Sequence, residues 1–563
     1  MLRSARALRA FAASLCFAFA GCHSGSSPTN PAVSAAGPAV NAASPSPTGA
    51  SSASPGSAGS TGAATAPTSS ASAGLSSGPA CAGTAAAPGA SDVVVNACAS
   101  IAPISADQLG TNLGIWYNVT TPSLPSELAQ VQAHILRWPG GSLSDTYHWQ
   151  NHTQCNGGGS SYTSGPADDP SSTFDNFMNS VVIAGGYDAA VTVDYGTNAA
   201  CNGGGDPAEA AAWVSYVKQS GWDSHVRYWT VGNEEFGGWE VDLHGSPHDP
   251  TTYAAAMSGP NGYYALMKAA DANAQVGVVV DGTGGFSTWD STVLARAPYD
   301  FVEIHWYAQQ PGSESDSYLI DQAPADFVQT INNVKSELAA AGKPNTPIMV
   351  GEMNSVAYAQ GKQTVSIVNA LFAAQVLVEG IKNGLAVDTW WFGDGGTQGC
   401  ANNDSSSLYG FQNWGGYDLV FGNTAENYNN CSGGSGGPVV PEGTLSPAGQ
   451  AFRLVSQFAQ PGENLVSAAS GASDVRAYAA TQGSGYAVLL INLNETNTEY
   501  MHVMIGGASG SSYNATEIVY GKGQYDTSAS NDWTGPVTTT VGAVGNALDV
   551  TLPPWSITLV QLK

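Results

Sequence analysis

The chain has 563 residues, of which 43 are Asp or Glu and 16 are Lys or Arg, for a net charge of −27. Beyond Arg3, Arg6 and Arg9 there is no cluster of basic residues, which excludes a nucleic-acid binder and charge-driven attachment to an anionic membrane surface. Acidity of this size suits solubility outside the cell, and the length allows two or three domains.

The first 22 residues, "MLRSARALRAFAASLCFAFAGC", set three arginines before an apolar run of signal-peptide length, too short for a membrane span. Ala18-Phe19-Ala20 suits ordinary cleavage, whereas Phe19-Ala20-Gly21-Cys22 resembles a bacterial lipobox with Phe in its first place. Residues 1–21 therefore read as an export signal. The polar segment that follows favours lipid attachment at Cys22, placing the protein outside the cell or on its envelope. Residues 22–90 are almost wholly Ser, Ala, Gly, Pro and Thr. With so few large apolar groups to offset chain entropy, they predict a flexible tether.

From residue 91 to 455, short β-type runs alternate with helical patterns. The predicted strands are 109–117, 134–138 ("HILRW"), 189–195, 226–231 ("VRYWTV"), 275–281, 301–307 ("FVEIHWY"), 347–352 ("PIMVGE") and 386–392. Several are apolar on both parities, as strands buried on both faces must be. Between them, Asp206 and Pro207 open a helix as N-cap and first helical residue. A second helix aligns Phe327, Val328, Ile331, Val334 and Leu338 before Gly342. "VSIVNALFAAQVLVEGIKNG" is apolar nearly all round and predicts a deeply buried helix. Eight alternating strands indicate a (β/α)8 TIM barrel; an open doubly wound sheet is the alternative. Residues 456–563 hold short strands separated by turn residues and little helix, the pattern of a C-terminal β-sandwich, with 91–105 available to add a strand.

Besides Cys16 and Cys22 there are cysteines at 81, 98, 155, 201, 400 and 431. An even number in an exported chain predicts disulfides. The sequential set 81–98, 155–201 and 400–431 is favoured because each closes a local loop rich in Gly and Asn.

In such a barrel, catalytic groups come from the carboxyl ends of the strands. Those ends carry Arg137, Asp194, Asn233, Glu234, Glu235, His305, Tyr307, Glu352, Asn354, Trp390 and Trp391. Carboxylates ending strands four and seven can converge across the mouth. Glycoside hydrolysis needs such a pair, one to protonate the leaving oxygen and one to attack or to activate water. The 14 Trp and 23 Tyr suit stacking on sugar rings.

"LRWPGGSLSDTYHW" (136–149), "GNEEFGGW" (232–239), "HWY" (305–307) and "GEMN" (351–354) resemble, in order and position, the motifs of glycoside hydrolase family 51 arabinofuranosidases of clan A. The resemblance spans roughly residues 107–455. It implies Glu234 as the acid/base and Glu352 as the nucleophile of a retaining double displacement. It further implies Asn233 on the sugar 2-hydroxyl, Arg137 beside Glu352 keeping it ionised, Tyr307 hydrogen-bonded to Glu352, and His305 and Trp390 lining the sugar site. Two departures stand out. Ser142 occupies the place of the family's Asn. The family's early Glu-His, which contacts the terminal sugar, has no match, Asn112 and Tyr117 being the nearest polar residues. The clan and mechanism therefore transfer better than arabinofuranose specificity.

Each assignment has a plainer structural rival. Glu234 can be a helix-start or salt-bridge carboxylate, Glu352 a strand-end acid, and Arg137 the partner in a structural ion pair. Glu235, diverging from its neighbour, is expected to face the surround and a basic partner. Asp194 is evenly balanced. His244 and His248 are four apart, but Gly245 and Pro247 argue against a zinc-binding helix. With no Cys-x-x-Cys, phosphate loop or dinucleotide fingerprint, neither cofactor nor metal is expected. The leading reading is a retaining glycoside hydrolase acting on a polysaccharide or its side chains, an α-L-arabinofuranosidase as the best single guess. An endo-acting glucanase or xylanase is the alternative enzyme, and a non-catalytic carbohydrate-binding surface protein the alternative of another class.

Overall fold

A computed structural model describes residues 81–82, 88–158, 161–395, 398–422, 440–508, 512–530 and 532–563. The expected signal peptide, Cys22 and nearly all of the tether lie outside the described residues. No helix among the described residues is long and apolar enough to cross a membrane.

Eight strands form a closed parallel barrel in chain order: Gly110–Asn112, Ile135–Trp138, Asp188–Val193, Val226–Val231, Gln275–Val279, Phe301–Gln309, Ile348–Val356 and Val387–Trp390. The eighth returns to the first through Thr389 opposite Gly110 and Trp390 opposite Thr111. The ring is closed, so the open-sheet alternative falls. Apolar residues on both parities follow directly. One parity fills the ring with Ile135, Ala190, Phe301, Met349 and Val387, while the other packs under the helices.

The first strand is far shorter than the apolar run around it. Leu113 and Ile115 are fully buried without belonging to a strand, so their hydrophobicity reports burial under the mouth loops, not sheet pairing. The helix Pro207–Gln219 begins where Asp206 accepts the Ala208 N–H. The helix Ala323–Ala340 buries Phe327, Ile331, Val334 and Leu338, and the chain then turns at Gly342 with φ 77°. The helix Ile367–Lys382 is buried nearly all round because the helix Pro447–Phe458 and the strand Asp92–Pro103 cover the side that would face solvent in an isolated barrel. Truncating Phe372 in its centre to Ala would cost about 3–5 kcal/mol.

A ten-stranded sheet forms the C-terminal sandwich. The strand Asp92–Pro103 lies within it, antiparallel to Asn464–Ser470 and parallel to Glu499–Ala508. Val93, Val95, Val488, Leu490, Val503 and Val560 contribute to a core of its own.

Cys155 and Cys201 form a disulfide across 46 residues of chain, as the sequential pairing predicts. It joins the loop after barrel strand two to the loop after strand three, on the mouth side, and restricts the unfolded chain by roughly 3–5 kcal/mol. Cys98 and Cys400 are also disulfide-bonded. The pairings 81–98 and 400–431 involve side chains outside the described residues.

Candidate active site

Strand six delivers Glu303, His305 and Tyr307 at alternate positions, so all three face the inside of the ring. On its neighbour, strand seven, the register shifts by one residue: Ile304 lies opposite Val350, but His305 lies opposite Glu352. The residue absorbed by this bulge is Gly351, whose missing side chain makes room for a carboxylate. A Cβ there would stand 2.0 Å from Glu303 Oε1. The bulge turns Glu352 onto the face that His305 occupies.

Arg137, fully buried at the end of strand two, ties the floor of the site together. Its Nη1 donates to Glu352 Oε1 at 2.9 Å and to Asn112 Oδ1 at 3.0 Å, and its Nη2 donates to Asn233 Oδ1 at 2.7 Å. Its Nε lies 2.9 Å from Glu303 Oε1. Tyr307 donates its hydroxyl to Glu352 Oε2 at 2.7 Å, so both Glu352 oxygens are held. His305 stands between the acids. Its Nδ1 is 2.7 Å from Glu234 Oε1 and 3.7 Å from Glu352 Oε2, and its Nε2 is 3.1 Å from Glu303 Oε1. Trp239 donates its indole N–H to Glu234 Oε2 at 2.6 Å.

The protonation states follow. Burial alone would lower the His305 pKa. The charge of Glu352 and the hydrogen bonds to Glu234 and Glu303 outweigh it and raise the value to about 10, so His305 is an imidazolium at neutral pH. Burial pushes Glu234 up, but the hydrogen bond and charge of His305, the Trp239 indole and Arg137 bring it below the ordinary carboxylate value. Glu303 is likewise lowered against its burial, mainly by Arg137 and His305. The mouth thus holds two cations and three carboxylates in direct contact.

Asn233 is engaged on every side. Its Oδ1 accepts from Arg137, its Nδ2 donates to Glu240 Oε1 at 3.0 Å, and its backbone N–H donates to Asp145 Oδ2 at 3.1 Å. Before it, Gly232 has φ 78°, and a Cβ there would meet the Glu235 side chain at 2.6 Å. Trp390 sits elsewhere than the resemblance implies. It is fully buried outside the ring, packing on Phe372 and donating its indole N–H to the Tyr417 carbonyl at 3.3 Å. A strand residue following inward-facing Thr389 must point away from the mouth. The half-buried neighbour Trp391 packs instead on Trp116, ring centroids 6.1 Å apart. Asp194 caps the turn at Thr197, accepting from its N–H at 2.8 Å and its hydroxyl at 2.7 Å.

Behind the mouth lies a second group of acids. Glu235 is completely buried, and in place of the expected basic partner it packs against Asp145. Burial and the Asp145 charge hold it protonated far above the usual range. Burial raises Asp145 to about 6. Glu240, which accepts from Ser142 Oγ at 2.9 Å and from Asn233, is also raised, by burial and then by Asp145. Sequence reasoning missed Glu303, Glu240, Asp145 and Trp239 as parts of the site. For Glu303 a signal existed: in "FVEIHWY" it shares the alternation of His305 and Tyr307.

No protein-family model and no curated protein matches the chain. Solved structures do. An α-L-arabinofuranosidase from Thermotoga maritima, solved as an arabinose complex, is 16% identical with a TM-score of 0.59, covering 84% of this chain and 100% of its own. A bifunctional glucanase-xylanase from a metagenome library is 16% identical with a TM-score of 0.58, over 84% and 98%. A Paenibacillus polymyxa xyloglucanase of glycoside hydrolase family 44 is 13% identical with a TM-score of 0.56, over 84% and 99%. The fold is shared. The match spans almost the whole length of each of these structures.

Proposed function

We propose that the protein is a retaining glycoside hydrolase acting on a polysaccharide or its side chains, with Glu352 as nucleophile and Glu234 as acid/base. The observation that carries this reading is a distance. One oxygen of Glu234 and one of Glu352 lie within 4.8 Å of each other, both beside His305. Retaining enzymes hold their carboxyls about 5–5.5 Å apart, whereas inverting enzymes leave about 6.5–9.5 Å for a water.

The two acids are equipped differently. Arg137 and Tyr307 donate to both oxygens of Glu352 and aim it from the floor of the site. Glu234 sits higher, its side chain 19% exposed, next to the exposed Trp239. A sugar stacked on that indole would present its leaving oxygen to Glu234.

The low pKa of Glu234 in the free protein fits this role through His305. The proton that must reach the leaving oxygen rests on Nδ1, one 2.7 Å hydrogen bond away. Glu352 is the chief charge holding it there. As Glu352 forms its bond to the anomeric carbon, that charge is consumed and the imidazolium becomes a stronger acid. The proton is then driven through Glu234 to the departing oxygen as the glycosidic bond breaks. Water, deprotonated by Glu234, later cleaves the glycosyl-enzyme and restores Glu352.

An α-L-arabinofuranosidase is the leading substrate assignment, supported by the motifs and by the arabinofuranosidase matches. The endo-acting glucanase or xylanase has a specific observation in its favour. Asn112 donates to the Gly351 and Trp390 carbonyls and accepts from Arg137, so the family's terminal-sugar contact is replaced by a structural residue. Product stereochemistry by NMR on a panel of aryl glycosides and polysaccharides tests both levels. Net inversion would end the mechanism, and release of oligosaccharides from xylan or glucan would replace the arabinofuranosidase assignment.

A further inference from the structure

We infer that Glu235, Asp242 and His248 form a binding site for a divalent transition-metal ion with a preference for mixed nitrogen and oxygen ligands, Zn²⁺ being the natural probe. One ring nitrogen of His248 and one carboxylate oxygen each of Glu235 and Asp242 lie within 4.8 Å of one another. These residues belong to the loop after strand four, and neither Glu235 nor His248 is used by the hydrolytic mechanism above.

Independent of that clustering, neither carboxyl oxygen of the fully buried Glu235 meets an N–H or hydroxyl donor. Their close neighbour is another carboxyl, Asp145, and among the described residues no Lys, Arg or His forms an ion pair with either. Two buried carboxyls in contact persist either by sharing a proton, which holds Glu235 neutral in the metal-free protein, or by taking up a cation. An ion would displace that proton and neutralise the pair.

The surroundings resemble a built site. His248 Nδ1 lies 3.3 Å from the Glu235 carbonyl oxygen; ligation through Nε2 would keep that contact, the arrangement common to ligating histidines. Asp242 is oriented by three donors: the His244 N–H at 2.9 Å and Nδ1 at 2.8 Å on Oδ1, and the His248 N–H at 2.8 Å on Oδ2. The His244 ring is itself stacked on Tyr195, centroids 4.3 Å apart. His244 and His248 therefore do not ligate as a helical pair; His244 orients Asp242 while His248 reaches the ion. His248 also lines a surface cavity with Phe236, Phe286 and Trp289, which gives an ion a path from solvent. Zinc bonds of about 2.0–2.2 Å require the three side chains to draw together, a movement open to half-buried His248, whereas the Asp242 side chain is buried and held in place. The ion would brace the loop holding Glu234 without touching the reacting atoms.

The test is calorimetric titration of Zn²⁺ into EDTA-stripped full-length protein, with melting curves run alongside. One equivalent should bind and raise Tm. His248→Ala should weaken binding by more than the roughly 10–100-fold typical of an outer-sphere partner, leave the metal-free melt close to that of the parent, and lose the zinc-induced rise. Asp242→Asn is the second variant should the first melt early. The assignment is overturned if no equivalent binds, if both variants bind Zn²⁺ as the parent does, or if Ca²⁺ binds more tightly than Zn²⁺. Because binding and melting are the readouts, these results stand or fall separately from the hydrolase reading.

Discussion

Glu234 and Glu235 are neighbours in the chain and opposites in the fold. Both are enclosed, and burial pushes both carboxyls towards the neutral form. Glu234 turns into the mouth, where His305 and Arg137 supply positive charge, and its pKa falls. Glu235 turns behind the barrel rim, where Asp145, Glu240 and Asp242 supply only negative charge, and its pKa climbs. Glu235 is the deeper of the two, but burial pushes both the same way and cannot give opposite shifts. What separates them is whether a cation stands within reach, and the left-handed turn at Gly232 leading into the pair lets consecutive side chains part so sharply.

The largest expected effect breaks the mouth side of this comparison. Glu352→Ala should reduce hydrolysis of aryl glycosides by more than the roughly 10²–10⁴-fold assigned to a lost general acid or base, with added azide restoring part of the turnover. Near-normal activity without azide would remove Glu352 from the nucleophile role. Next comes the pair itself. Glu234→Ala should cost about 10²–10⁴-fold on substrates with poor leaving groups and far less on activated ones. For Glu235→Gln, whatever rate is lost should be lost equally from both substrate types. If the leaving-group dependence follows Glu235 instead, the two roles have been exchanged.

Stability against pH sharpens the same contrast, because the two sides lose stability in separate pH windows. His305 titrates near 10 in the fold against 6.5 for the free group, so its stabilisation is complete below about pH 6.5 and is lost as pH rises through 10. Asp145, raised from 3.8 to about 6, has the same sign in a more acidic window. Between those values the unfolded chain releases a proton that the fold retains, so stability declines as pH rises from about 4 to 6 and then levels. Each effect should amount to a few kcal/mol at most. Melting curves in EDTA should therefore show two separate declines. Asp145→Asn should remove the acidic one and His305→Gln the alkaline one; the reverse result would contradict the charge assignment.

Much of this arrangement is visible in the sequence, for a physical reason. Barrel strands buried on both faces are continuously apolar, so the polar residues at their ends stand out. Arg137, His305 and Glu352 could be recognised that way. Trp390 was misplaced because "TWW" does not reveal its parity: Thr389 points inward, and that turns Trp390 onto Phe372. The bulge at Gly351 could not be read either, since a one-residue slip exists only relative to the neighbouring strand. Glu235's acidic surroundings were hidden for a similar reason. Asp145 lies 90 residues earlier, in the loop after strand two, and only closure of the ring brings those loops together.

The smallest effect isolates one hydrogen bond at the boundary between protein and solvent. Trp239 is 58% exposed, yet its indole N–H donates to Glu234 Oε2 at 2.6 Å. A donor to a carboxylate favours the ionised form, so Trp239→Phe should raise the Glu234 pKa, though only slightly because solvent screens an exposed contact. The alkaline limb of the kcat/KM profile, where the proton shared by His305 and Glu234 is lost, should move up with it. A sugar that stacks on the indole still finds an aromatic face in Phe, so KM should change less than it does in Trp239→Ala. If the two variants raise KM equally and the alkaline limb stays in place, Trp239 acts through neither its N–H nor its ring. The mouth would then owe its electrostatics to His305 and Arg137 alone.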